Sequence, residues 1–187
     1  MIEIESLPVV PWKNGGGSTR NLAVEPAHAG FENFVWRVSV ADVARPGAFS
    51  LFPGVDRILV PLSGGGMQID RGKGAEVLSP FVPLSFRGEE SIQAALPGGA
   101  TRDLNVMVRR GLAEAIVEVW RGDVRLGRDA DEAVFVCARG AFLIDGDRLA
   151  EGQATRRSGL RADTALVSSL PDSVLIGAMI RRIGDAA

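Results

Sequence analysis

Phe34-Val35-Trp36-Arg37-Val38-Ser39-Val40 carries a period of two, with Phe34, Trp36, Val38 and Val40 facing one way and Arg37 and Ser39 the other. That is a strand with an apolar face, and it sets an arginine and a hydroxyl side by side on the opposite surface. Arg102-Asp103-Leu104-Asn105-Val106-Met107-Val108 repeats the pattern: Leu104, Val106 and Val108 share one face, Asp103, Asn105 and Met107 the other. Outward from these two, short runs follow one another at close spacing. They are Ile2 to Ile4, Asn21 to Val24, Ala48 to Phe52, Arg57 to Leu62, Met67 to Ile69, Val77-Leu78, Pro83 to Phe86 and Ile92 to Leu96, with turns at Pro46-Gly47, Pro53-Gly54 and Pro97-Gly98-Gly99. Leu112 to Trp120 contains helix-forming Ala and Glu, but Ile116-Val117-Glu118-Val119-Trp120 favours a strand. Glu132 to Ala138, Ala141 to Ile144, Arg148-Leu149, Thr155 to Arg157, Ala165 to Ser168 and Val174 to Ile180 complete the series, and Asp145-Gly146 makes a hairpin turn. Helical periodicity is nowhere sustained, so the expected class is all-β, a sandwich or barrel.

With 187 residues and 46% hydrophobic content, the chain has room for one large core or two fused β units, and no low-complexity linker separates its halves. The formal net charge of -2 excludes a general nucleic-acid binder, whose affinity rests on excess Lys and Arg. The N-terminal Met1-Ile2-Glu3-Ile4-Glu5 has acids where a signal peptide has cations, and no apolar run is long enough for a membrane span, which leads us to expect a cytoplasmic protein without membrane association. One His, one Cys and no Tyr leave no zinc site, two-His iron site or Ser-His-Asp triad to assemble; His28 lies in a turn-like segment and Cys137 in an apolar strand. No metal and no cofactor is expected.

Cations gather at Pro11-Trp12-Lys13-Asn14-Gly15-Gly16-Gly17-Ser18-Thr19-Arg20. Three successive glycines between Lys13 and Arg20 give either a mobile hairpin tip or a backbone bent so that its N-H groups meet an anion. A nucleotide loop is excluded, because its Lys follows the glycines whereas Lys13 precedes them. Gly64-Gly65-Gly66 is no dinucleotide fingerprint either, since Met67 to Asp70 reads as a strand.

Four motifs in order, Pro11-Trp12-Lys13-Asn14-Gly15-Gly16-Gly17-x-Thr19-Arg20, Trp36-Arg37-Val38-Ser39-Val40-Ala41, Gly47-x-Phe49-Ser50-x-Phe52-Pro53-Gly54-x-Asp56-Arg57 and Asp103-Leu104-Asn105-Val106-Met107, resemble the HutD/Ves family. The resemblance implies a bicupin, two cupin-type jelly-roll β-barrels in one chain, often paired as a homodimer. Its expected units are residues 1–110, which hold the motifs, and residues 111–187, packed on the first with strands exchanged. It further implies a bacterial protein tied to histidine utilisation that senses a metabolite instead of catalysing a step. Family members commonly have Glu where this chain has Asn21. Metal-dependent cupins carry a His-x-His with a downstream Glu and a later His; the counterparts here look like Phe49-x-Leu51, Asp56 and Arg102, two of them apolar.

The ligand-binding set expected from these motifs is Trp12, Lys13, Asn14, Thr19, Arg20, Arg37, Ser39, Arg57, Asp103 and Asn105, with no catalytic residue. Several cations meeting in one cavity repel unless paired, and Asp103 alone does not neutralise Lys13, Arg20, Arg37 and Arg57. A small anionic metabolite of the urocanate or formylglutamate type would complete the balance. The alternative is a metal-independent cupin enzyme, an isomerase or lyase, with Lys13 as base or Asp103 as acid-base.

Overall fold

Alternation along the chain produces nineteen strands among residues 1–183, the part described by this computed structural model. The first eleven are β1 (Ile2–Glu3), β2 (Val10–Pro11), β3 (Gly17–Glu25), β4 (Trp36–Val43), β5 (Gly47–Ala48), β6 (Val55–Pro61), β7 (Met67–Asp70), β8 (Ala75–Leu78), β9 (Leu84–Arg87), β10 (Gln93–Ala95) and β11 (Thr101–Arg109). The others are β12 (Ala113–Trp120), β13 (Val124–Arg125), β14 (Ala130–Arg139), β15 (Ala141–Ile144), β16 (Asp147–Ala150), β17 (Gln153–Leu160), β18 (Ala165–Ser168) and β19 (Val174–Arg182). Ile4, expected in the first strand, instead sits in a one-turn 3-10 helix, Ile4–Ser6, with its side chain buried.

Two units result, Pro8–Arg110 and a second built from Met1–Leu7 with the chain from Gly111 onward. The first seven residues therefore belong with the C-terminal unit and not with the first 110: β1 pairs antiparallel with β17, Ile2 opposite Ala154 and Glu3 opposite Gln153. A two-residue strand gives the edge of β17 backbone partners that it would otherwise lack.

In the Pro8–Arg110 unit a six-stranded sheet, β2-β3-β4-β11-β6-β9, faces a four-stranded sheet, β5-β10-β7-β8. Ala41, Val43, Leu59 and Phe86 from the first interlock with Met67, Ile69, Leu78 and Ala94 from the second. The other unit repeats the plan with β1-β17-β14-β19-β12 over β13-β18-β15-β16. Its interior is filled by apolar side chains, including Phe135, Cys137, Phe142, Leu149, Leu166 and Leu175. Burial raises the Cys137 thiol to about 11, which keeps it protonated and inert at neutral pH. The two interiors thus differ in kind, because the Pro8–Arg110 unit buries charged groups in the middle of its core.

Candidate functional site

Strand pairing decides which side chains share the interior face of the Pro8–Arg110 unit. β11 lies between β4 and β6, so that Met107 stands opposite Arg37 and Arg57, Asn105 opposite Ser39 and Leu59, and Asp103 opposite Ala41 and Pro61. Cross-strand partners point to the same side. Arg37, Ser39, Arg57, Asp103 and Asn105 therefore form one polar belt, although they come from three strands. Along the strands it is bounded by the apolar cluster containing Ala41, Val43 and Leu59, and on the other side by the one containing Met107, Phe34 and Val55.

Both arginines are buried, Arg37 at 8% and Arg57 at 7% exposure. Arg57 donates from Nε and Nη2 to Oδ1 of Asn105, each at 3.4 Å, and from Nη1 to the backbone oxygen of Ser50 at 3.3 Å. Three rings surround its guanidinium, Phe86 at 4.9 Å and Phe49 and Phe52 at 5.5 Å. Arg37 donates from Nε to Oδ1 of Asn21 at 2.8 Å and from Nη2 to the same oxygen, while the half-exposed Phe31 ring stacks at 4.4 Å. In each pair a neutral amide oxygen holds one edge of the guanidinium and fixes its orientation. Neither arginine makes an ion pair among the described residues, and Asp103 acts on Arg57 only at longer range. Loss of hydration lowers the pKa of both, that of Arg57 to about 10, with Asp103 opposing and Arg37 reinforcing the shift.

Asp103 is the counter-pole. It is 2% exposed, and burial pushes its carboxyl up to about 7 against the pull of Arg57, with Asp42 adding to the rise. Its Oδ1 and the hydroxyl oxygen of Ser39 are buried without a hydrogen-bond partner among the described residues. Such groups lose about 1–3 kcal/mol each when left unsatisfied.

The glycine-rich stretch takes a different part from the one expected of it. Val10–Pro11 and Gly17 onward pair as a hairpin, Val10 opposite Thr19 and Pro11 opposite Ser18. Its N-H groups are used internally: Trp12 N donates to Gly17 O at 2.9 Å, Gly15 N to Trp12 O at 3.0 Å, and Gly16 N to Oδ1 of Asn14 at 2.9 Å. Lys13 and Asn14 are exposed at the tip, whereas the two arginines are buried. Trp12 packs against the apolar cluster and donates from Nε1 to Oγ1 of Thr19 at 2.8 Å, so this pair braces the hairpin. Arg20, opposite Val40, occupies the other face of β3 and pairs with Asp42, which also accepts from Nε of Arg102 at 2.7 Å. Of the ten expected residues, the belt thus gathers Arg37, Ser39, Arg57, Asp103 and Asn105, and leaves Lys13, Asn14 and Arg20 outside it.

Gly17 is required by this packing, since a Cβ there would stand 2.3 Å from the Asp42 oxygen and 3.0 Å from the Trp12 ring. Gly17→Ala is expected to lower stability by about 1–3 kcal/mol through overpacking, read as a lower melting temperature.

Sequence reasoning passed over Asn21, Phe31, Phe49, Phe52 and Phe86 as site residues. The signal for Asn21 was present, because alternation extended back through Thr19-Arg20-Asn21 places Thr19 and Asn21 on one face and Arg20 on the other. The rings of Phe31, Phe49 and Phe52 come from segments outside the strands, where no period predicts direction.

Among the described residues no group of three or more His, Cys, Asp and Glu is placed to hold a metal ion. The counterparts of metal-cupin ligands have other duties: Phe49 stands over Arg57, Asp56 pairs with Arg110, and Arg102 pairs with Asp42. No helix among the described residues is long and apolar enough to cross a membrane.

Two jelly-roll units in one chain, one with a polar belt in its core, define a bicupin. A cupin 2 conserved barrel domain protein from Leptotrichia buccalis shares the fold, with a TM-score of 0.53 at 8% identity over 87% of this chain and 88% of its own. The HutD family model matches residues 5–175, and the chain belongs to that family. An uncharacterized 21.2 kDa protein in the hutC 3' region of Pseudomonas putida is 34% identical over 139 residues, 74% of this chain and 73% of that protein. Protein Ves of Citrobacter koseri is 38% identical over 150 residues, covering 79% and 76%. A solved structure of HutD from Pseudomonas fluorescens SBW25, in a formate condition, superposes with a TM-score of 0.85 at 26% identity over 96% of each chain.

Proposed function

We propose that this protein is a non-catalytic binder of a small anionic metabolite, of the urocanate or formylglutamate type, and that it moderates histidine utilisation. One observation carries the reading. Arg37 and Arg57 are buried and held in orientation by the neutral oxygens of Asn21 and Asn105, with no ion pair to either among the described residues. A buried guanidinium without a counter-ion is costly, and a carboxylate offers each one charge-assisted hydrogen bonds that restore the balance. The Pseudomonas putida relative named for the hutC 3' region and the similarity to HutD from Pseudomonas fluorescens SBW25 support the link to histidine utilisation.

The test is a melting series with urocanate, formylglutamate, formate and, at matched ionic strength, chloride. At about 100 times its dissociation constant a ligand adds about 2.7 kcal/mol, a rise of roughly 5–10 °C for a chain of this size. Chloride should do little, and Arg37→Met with Arg57→Met should remove the response. Equal shifts with chloride and with carboxylates, or a full response in the double variant, overturn the reading.

A second reading, a metal-independent isomerase or lyase, is favoured by Asp103, whose carboxyl at about 7 is poised for proton transfer. Conversion of whichever carboxylate stabilises the protein, abolished by Asp103→Asn, would establish it in place of simple binding.

A further inference from the structure

The belt has two poles, and the second is unexplained by an anion alone. Oδ1 of Asp103, an acceptor, and Oγ of Ser39, which both donates and accepts, are buried and without a partner among the described residues. They adjoin the cationic pole: Asn105, which takes Nε and Nη2 of Arg57, is two residues from Asp103 on β11 and directly opposite Ser39 on β4. Two residues of strand span roughly 7 Å, so one small molecule reaches both poles. An anion held only by the arginines would leave Asp103 facing a second negative charge with its own oxygen still unsatisfied.

We infer that the Asp103–Ser39 pair is a donor-binding subsite, and that the ligand is a bifunctional molecule with a carboxylate for Arg37 and Arg57 and an N–H donor for Asp103. This rests on the anion-binding reading of the same belt and narrows it to a class of ligand. Simple monocarboxylates fill half of the site. A buried carboxylate oxygen without a partner discriminates strongly against analogues that lack a donor, because those analogues leave it as unsatisfied as before. The elevated proton affinity of Asp103 agrees with a carboxyl awaiting such a partner.

Calorimetric titration with two matched pairs tests this on the full chain: N-acetylglycine against its N-methylated form, and 4-acetamidobutyrate against its N-methylated form. Within each pair the carboxylate is the same and a methyl group replaces the N–H hydrogen, so the Asp103 variants separate the lost donor from the added bulk. The N–H member of at least one pair should bind about 10- to 100-fold more tightly. Asp103→Leu should bring that ratio to about one, and Asp103→Asn, which retains a neutral acceptor, should keep an intermediate ratio and serves if the Leu variant does not fold. Equal affinity within both pairs overturns the donor subsite while the anion reading stands. A ratio undiminished in both variants also overturns it, by placing the donor elsewhere. Failure of all four compounds, together with formate, to bind sinks both readings.

Discussion

Arg57→Met is expected to raise the melting temperature of the ligand-free protein and at the same time abolish its response to small carboxylates. The guanidinium of Arg57 is nine-tenths shielded, and its three hydrogen bonds are long, at 3.4, 3.4 and 3.3 Å. Those bonds and the surrounding rings of Phe49, Phe52 and Phe86 return part of the lost hydration, but no carboxylate among the described residues is paired with the charge. A methionine follows the aliphatic stem, fills much of the same volume and packs well on aromatic edges. Exchange of buried ionic groups for apolar ones of similar size often stabilises by about 1–4 kcal/mol, so a gain of about 1–3 kcal/mol, or roughly 3–10 °C, is the expected result. The opposite signs separate the roles. A structural arginine loses stability on replacement, whereas one kept charged for a ligand gains it and loses binding. A lower melting temperature in Arg57→Met, with the carboxylate response intact, would assign this residue to holding the Ser50 segment and remove it from the site.

The same logic explains which parts of the molecule could be read from the chain. Side-chain parity within a strand is local, so Phe34 to Val40 and Arg102 to Val108 placed Arg37 with Ser39 and Asp103 with Asn105 correctly on the faces opposite their apolar partners. Which strands lie side by side is not local. The placement of β11 between β4 and β6 joins residues 70 positions apart in the case of Arg37 and Met107, and only the folded register brings Arg57 against Asn105. The glycine-rich stretch misled because composition counts charges without direction. Its strand starts at Gly17, earlier than the apolar residues alone indicate, and alternation along it sets Arg20 on the face opposite Thr19 and Asn21, where it meets Asp42, an acid 22 residues away. Lys13 is carried to an exposed tip by a hairpin whose own carbonyls and Asn14 consume its N-H groups. The aromatic shell was illegible for a similar reason, since Phe31, Phe49 and Phe52 owe their direction to loops shaped by tertiary packing.

Stability should fall as pH rises from about 4.5 to about 8, and Asp103→Asn should flatten that dependence. The Asp103 carboxyl, ordinarily near 3.8, stands at about 7 in the folded protein. Between those values the folded state binds a proton that the unfolded state has released, so each step up in pH favours unfolding, with a limiting slope of about 1.4 kcal/mol per pH unit, and the effect levels off above the folded value. The groups that bear on this carboxyl are Arg57 on β6, which resists the rise, Asp42 on β4, which adds to it, and the neutral Asn105 and Ser39. Asp42 and Glu132 act in the opposite sense, because arginine partners hold both below their ordinary values, but their stabilising contribution is lost only as pH drops through the acid range. The decline between pH 5 and pH 7 therefore belongs to Asp103. Its total is on the order of 2–4 kcal/mol, and denaturant titrations of wild type and Asp103→Asn at pH 5, 6, 7 and 8 measure it directly. The asparagine variant, unable to ionise, should match the wild type only below about pH 4, already exceed it at pH 5 and exceed it by the full amount at pH 8. Parallel curves would show that the carboxylate is ionised throughout and already satisfied, which would also deprive the donor subsite of its acceptor.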